Sequence, residues 1–258
     1  MLIFFGTAGD VEGLGAGMSG SAVSEQIRAA AGGGNRVRLV VLDESRARPT
    51  VDGLPASIEL LSAHPAEDGD LGLECGAIVV LNVEIPFAHL MKVARAARDA
   101  GAHVVFNLSC MPAIFAMPEL HAVLGRTDIL ILRQVELQKA VGLLGQEMLG
   151  DCQTTTEMVG ALAYWASFAV VATDGREGAL YAEGESPAQR FLSPRGEDMN
   201  ERSVSNNFVG ALTAALSVRK SMPEAIEAAL SKATAPQAET PYEARAGSPF
   251  KTLSNVIG

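Results

Sequence analysis

AIVVLNVEIPFAHLMKVARAARDAGAHVVFN, residues 77–107, is the stretch that decides the fold. Ala77–Leu81 is a short unbroken apolar run rich in β-branched side chains, the pattern of a strand buried on both faces. From Phe87 to Ala100 the apolar residues recur at helical spacing, and Gly101 supplies the stop. Val104–Asn107 then returns to strand. A strand, a helix and a second strand in this order make a right-handed βαβ unit with parallel strands.

The same alternation extends in both directions. Toward the amino terminus, Leu2–Phe5 reads as a strand closed by Gly6, and residues 6–20 are glycine-rich. Ser21–Ala31 reads as an alanine-rich helix stopped by Gly32–Gly34, and Val37–Leu42 as the next strand. Residues 43–73 mix charges, prolines and glycines and are expected to be mostly loop, with one strand-like or helical piece near Ile58–Leu61. Toward the carboxyl terminus, Pro118–Leu124 reads as a short helix and Ile129–Leu132 as a strand. Two helices follow, Glu136–Leu144 and Thr155–Trp165. Phe168–Thr173 is a strand, and Ala179–Glu183 is its hairpin partner across the Gly175–Gly178 turn. Phe208–Val218 and Pro223–Lys232 close the pattern as helices, the second capped by Ser221. The expected architecture is a three-layer α/β sandwich on a mainly parallel sheet. One domain is expected over residues 1–236, followed by a loop-like tail over 237–258.

Composition narrows the function. Hydrophobic residues make up 48% of the 258, so the chain is not disordered, and an aromatic share of 5% means a core of Ala, Val, Leu and Ile. A net charge of −10 and the absence of any Lys/Arg run argue against a nucleic-acid partner. No run reaches the ~18 apolar residues of a membrane span, and MLIFF is too short for a signal sequence. Cys75, Cys110 and Cys152 are scattered, which indicates neither a disulfide framework nor a zinc site and suggests a reducing intracellular compartment. His64, His89, His103 and His121 show no metal spacing. Asp10 and Asp174 read as turn formers.

Four segments, in order, resemble the ribokinase-like family of carbohydrate and adenosine kinases. LNVEIPFAHLMKVARAARDAGAHVVFN (81–107) is similar to its central strand–helix–strand, with Glu84, Pro86 and Asn107 in the family's places. TDILILRQVE (127–136) resembles the next strand and its loop, FAVVATDGREGAL (168–180) the T-x-G-x-x-G hairpin beside the nucleotide, and NERSVSNNFVGALTAAL (200–216) the segment carrying the anion hole and catalytic base. The resemblance implies ATP- and magnesium-dependent phosphoryl transfer to a sugar hydroxyl, carried by positioning, charge neutralisation and a carboxylate base.

At those same places the chemistry is altered. Where the family has Gly-Ala-Gly-Asp, this chain has Ser203, Val204, Ser205 and Asn206, and an amide cannot take the hydroxyl proton. In the structural alternative, Ser203 or Ser205 simply caps a helix starting near Asn207. Where the family has Asn-x-x-Glu acting on magnesium, Arg133 precedes a vestigial Glu136; in the alternative Glu136 is a solvated residue at a helix start, suited to the dipole. The run from Gly17 through Met18, Ser19, Gly20 and Ser21 to Ala22 replaces a sugar-binding Gly-Gly-x-Gly-x-Asn, or is only a tight turn. The β-rich lid that covers the sugar in this family is expected to be reduced or absent. Thr173, Gly175, Gly178, Ser203 and Ser205 are the residues expected to line a vestigial nucleotide site, although hairpin geometry also accounts for the first three.

The resulting expectation is a catalytically inactive member of the family, with no cofactor and no metal, serving as an accessory subunit held by protein contacts in a larger assembly. By analogy with degenerate enzymes recruited to organellar complexes, that assembly is placed in the mitochondrion. The alternatives are an active sugar or nucleoside kinase using a displaced carboxylate such as Asp198 or Glu201, in which case ATP and magnesium would be needed, and a non-catalytic nucleotide sensor.

Overall fold

The computed structural model describes residues 1–6, 21–32, 34–42, 56–63, 71–83, 85–109, 116–194 and 201–234. Its strands are β1 (Leu2–Gly6), β2 (Val37–Leu42), β3 (Ile58–Ala63), β4 (Ile78–Asn82), β5 (His103–Asn107), β6 (Ile129–Arg133), β7 (Ala169–Thr173), β8 (Gly178–Glu183) and β9 (Gln189–Leu192). The helices are α1 (Ala22–Ala31), α2 (Phe87–Asp99), α3 (Met117–Leu124), α4 (Gln134–Leu144), α5 (Gln146–Leu149), α6 (Thr155–Ala166), α7 (Glu201–Ser217) and α8 (Met222–Ala233).

All nine strands form one sheet in the order β3-β2-β1-β4-β5-β6-β7-β8-β9. β3 to β7 pair in parallel, and β8 and β9 continue the sheet antiparallel. The alternation of side chains along the strands builds a separate core on each face. Leu2, Phe4, Val80, Val105 and Val171 pack beneath α1, α7 and α8. Ile3, Phe5, Leu81, Phe106 and Leu132 pack beneath α2 to α6. Three layers result, as the sequence predicts.

Close packing of α1 on α7 depends on Gly210. A Cβ there would collide with the Gln26 carbonyl group, so the two backbones meet where only a hydrogen fits. Gly101, at φ 72, ends α2 in the left-handed region as the sequence predicts.

The structure decides one sequence reading and departs from it in two places. The piece near Ile58–Leu61, expected as strand or helix, is strand: β3 pairs along its whole length with β2 as the parallel edge strand. β9, with sequence QRFL, has no strand pattern and forms because β8 offers it a free edge. The penultimate helix starts at Glu201 rather than near Phe208, so neither Ser203 nor Ser205 is an N-cap before Asn207. Of residues 43–73, read as too short for full lid strands, β3 joins the main sheet. The tail over 237–258 and the glycine-rich run over 7–20 lie outside the described residues.

Candidate functional site

Open parallel sheets bind ligands at the carboxyl ends of their strands, where successive helices depart to opposite faces. Here that point lies between β1, followed by α1, and β4, followed by α2. Asn82, Asn107, Arg133 and Thr173 end β4, β5, β6 and β7 in turn. Asn82 is register partner to Asn107, and Arg133 to Thr173. Strand alternation puts all four on the face covered by α1 and α7.

Two of these polar ends are closed by protein. Gln26 and Asn82 exchange amide hydrogen bonds of 3.0 and 3.2 Å, and the Asn107 amide donates to Asn82 Oδ1 at 2.8 Å. The Ser109 backbone N–H then donates to Asn107 Oδ1 at 3.2 Å. All three side chains are buried, and a buried amide network of this kind is tolerated only when its members satisfy one another. Gln26 escaped the sequence reading although a signal existed. It falls on the buried stripe of α1 with Val23, Ile27 and Ala30, where an apolar residue is expected.

Asn206 is buried too, on α7. Its Nδ2 donates to Glu25 Oε2 on α1 at 2.7 Å. Because α7 begins at Glu201, the backbone N–H groups of Ser205 and Asn206 belong to the helical ladder. They are not free to cradle an anion. Nothing in the sequence singles out Glu25, since one carboxylate in the first turn of a helix is ordinary.

Arg133 and Glu136 form a forked ion pair: Nε donates to Oε2 at 2.9 Å and Nη2 to Oε1. The Glu136 side chain is only 1% exposed, which overturns the reading of a solvated helix-start residue. Arg133 therefore occupies both carboxylate oxygens. A divalent ion would have to displace a guanidinium to reach them.

Between the ends of β6 and β7 and the side of α7 lies a cleft of about 390 Å3. Thr173, Gly175, Gly178 and Ser205, four of the sequence candidates, line it together with Arg133, Asp174 and Glu177. Val135, Val204, Phe208 and Leu230 supply its apolar wall. The hairpin turn has its own constraint at Gly178. With φ 120, a Cβ there would run into the Phe191 carbonyl oxygen of β9. Ser205 is 7% exposed and its Oγ has no hydrogen-bond partner among the described residues. Arg190 on β9 reaches Glu177 Oε2 at 3.2 Å and Asp174 Oδ2 at 3.9 Å on the cleft's rim.

The remaining sequence candidates do not converge. His89, His103 and His121 are dispersed on α2, β5 and α3, and His121 packs edge-on to Trp165 with ring centres 5.1 Å apart. Among the described residues no group of His, Cys, Asp or Glu could hold a metal ion, and no helix is long and apolar enough to cross a membrane. Asp10, Gly17, Met18, Ser19, Gly20, His64, Glu84, Cys110 and Asp198, and the side chains of Glu201 and Ser203, lie outside the described residues.

No protein-family model matches the chain. Among curated proteins it is 26% identical over 170 residues to a ribokinase of Arabidopsis thaliana, a match covering 65% of this chain and 42% of that protein. The chain thus spans less than half the length of that relative. Among solved structures it resembles a ribokinase of Thermotoga maritima with a TM-score of 0.66 and 15% identity, covering 91% of both chains. The aminoimidazole riboside kinase of Salmonella enterica, solved with aminoimidazole riboside and an ATP analog, gives a TM-score of 0.64 at 15% identity over 91% of this chain and 92% of that one. Phosphofructokinase-2 of Escherichia coli, in complex with fructose-6-phosphate, gives 0.61 at 16% identity over 84% of this chain and 81% of that one. This chain, then, has the ribokinase-like carbohydrate kinase fold.

Proposed function

We propose that the chain is a catalytically inactive ribokinase-like protein that serves as an accessory subunit of a larger protein assembly. The observation that carries the reading is the engagement of Asn206. An amide stands at the place of the proton acceptor, and one of its N–H donors is engaged by Glu25 at 2.7 Å. Loss of a general base alone costs on the order of 10²–10⁴ in rate. Two further features point the same way. The helical ladder of α7 runs through the place of the anion hole, and Arg133 covers the Glu136 carboxylate that magnesium would need. The sheet, both cores and the helix packing are intact, which is what a structural role preserves.

Labelled ATP incubated with the purified chain and a panel of sugars and nucleosides tests this. No substrate-dependent ADP release is expected, and co-purification from cells should yield a complex larger than the chain. Substrate-dependent ADP release would overturn the reading.

One observation favours a second reading, an active kinase. Glu25 brings a half-buried carboxylate to the Asn206 position, and only its Oε2 is engaged by the amide. In that reading Glu25 takes the hydroxyl proton and Asn206 orients it. ADP release that Glu25→Gln abolishes would establish it.

A further inference from the structure

β9 is the outermost strand of the sheet, and no described residue pairs with its far side. The register fixes which groups face outward. Phe191 is partner to Ala179, and its carbonyl oxygen points at Gly178. The Ser193 N–H donates to the Glu177 carbonyl oxygen at 3.3 Å. Residues 189, 191 and 193 therefore bond inward to β8, while Arg190 and Leu192 turn their N–H and C=O groups away from it. Pro194, the next outward position, has no N–H, so the row of outward donors ends at Leu192.

The side chains of this edge are as open as its backbone. Ala188 packs into the core beneath α2 to α6 and Phe191 into the opposite one, so Arg190 and Leu192 lie on the α6 face. α6 packs on β7 and β8. Beyond it Leu192 is 75% exposed, the most open large apolar side chain among the described residues. One flank of α6 carries Trp165 to His121 on α3. The other flank carries Thr156 and Gly160, and a Cβ at Gly160 would meet nothing within 4 Å.

We propose that β9 is a self-pairing edge, where two copies of this chain join antiparallel across a two-fold axis at Phe191 and make one continuous sheet. In this register Arg190 of each copy exchanges both backbone hydrogen bonds with Leu192 of the other, so both outward donors are satisfied. An axis at Leu192 would instead set Arg190 opposite Pro194 and leave a carbonyl without its donor. Three strand spacings of about 4.8 Å separate β8 from its copy, so the α6 helices above them stand about 14 Å apart. Direct helix packing needs only about 8–10 Å. The Leu192 side chains of the two copies fill the difference, against the small flank of each α6. The pairing is independent of whether the chain turns over ATP.

Sedimentation velocity on the full chain at about 0.15 M salt, which screens its net charge of −10, should show a dimer that dissociates on dilution. Leu192→Pro removes only an outward N–H and leaves the β8–β9 ladder whole. It should weaken the dimer at least about tenfold while the monomer's Tm stays within about 3 °C. Leu192→Lys keeps the backbone donor but puts charge into the filled gap, and should weaken the dimer as well. In hydrogen exchange the Arg190 and Leu192 amides should be slow in the dimer and fast in the monomer, with Phe191 slow in both. A chain that stays monomeric at about 100 µM overturns the proposal, as does a dimer indifferent to both substitutions or an open-ended oligomer.

Discussion

The side-chain amide of Asn206 on α7 donates a 2.7 Å hydrogen bond to the carboxylate of Glu25 on α1, across a sequence separation of 181 residues. Two helices that cover one face of the sheet are thereby latched at the carboxyl end of the strands, and the latch has a polarity. It needs a donor on α7 and an acceptor on α1.

Asn206→Asp, the substitution that would restore a carboxylate, is expected to harm the protein rather than activate it. It sets two carboxyl groups within hydrogen-bond distance, which raises the introduced group above its unfolded value. The variant should lose about 1–3 kcal/mol at pH 7 and recover stability as the pH falls toward about 5, where one proton is shared. Denaturant midpoints at several pH values check this. Adding Glu25→Gln should remove the pH dependence.

Removing Arg133 should be worse than removing Glu136. Arg133→Ala leaves a carboxylate whose side chain is 1% exposed without its cation, at a cost of about 3–5 kcal/mol. Glu136→Gln leaves a guanidinium that is 36% exposed and reaches water, and should cost about 1 kcal/mol. A double-mutant cycle read by urea denaturation should show strong coupling, and addition of the single costs would refute the pair.

Gly210→Ala separates two opposed effects. Intrinsic helix preference favours alanine by about 1 kcal/mol. The contact with the Gln26 backbone carbonyl forbids its methyl group, and overpacking of this kind costs about 1–3 kcal/mol. We expect net destabilisation in thermal unfolding. A rise in Tm would mean that the two helices are not so close.

The helices α6 and α8 start with acid-sensitive caps. Glu157 accepts from the backbone of Gln153 and Thr154 at 2.8 Å, and Glu224 accepts from the Ser221 hydroxyl at 2.7 Å and its N–H at 3.0 Å. Backbone hydrogen bonds from Thr154 and Gln153 hold the Glu157 carboxyl below its ordinary range, and the hydroxyl and N–H of Ser221 do the same for Glu224. Folded values below unfolded ones contribute stability above the unfolded pKa that is lost as pH falls through the folded one. Stability should therefore decline below about pH 4, and Glu157→Gln with Glu224→Gln should blunt that decline.

The buried strands and amphipathic helices were legible because each carries its own period: Ala77–Leu81 and Val104–Asn107 read as core strands, and Gly101 as a stop, from local chemistry alone. β9 was not legible, and the piece at Ile58–Leu61 read as either strand or helix, because edge strands take their conformation from a neighbour's unpaired backbone rather than from their own pattern. At the site, the sequence marked Asn206, Glu136, Thr173 and Ser205 as residues of interest, and the structure sets the last two beside one cleft. It could not disclose what each engages. Glu25 and Asn206 meet only through the packing of α1 on α7, and the depth of Glu136 follows from the α4 start being sealed against β6. The α7 boundary was misjudged because Ser and Asn read as capping residues, and only their tertiary burial keeps them helical.

The start of α7 at Glu201 fixes what a change at position 206 can reach. The N–H groups of Ser205 and Asn206 are spent inside the helix, and freeing them would mean unwinding a turn whose later residues, Ser205 to Phe208, are buried. A substitution at 206 therefore swaps a side chain on a rigid rod and leaves the backbone around it as it was.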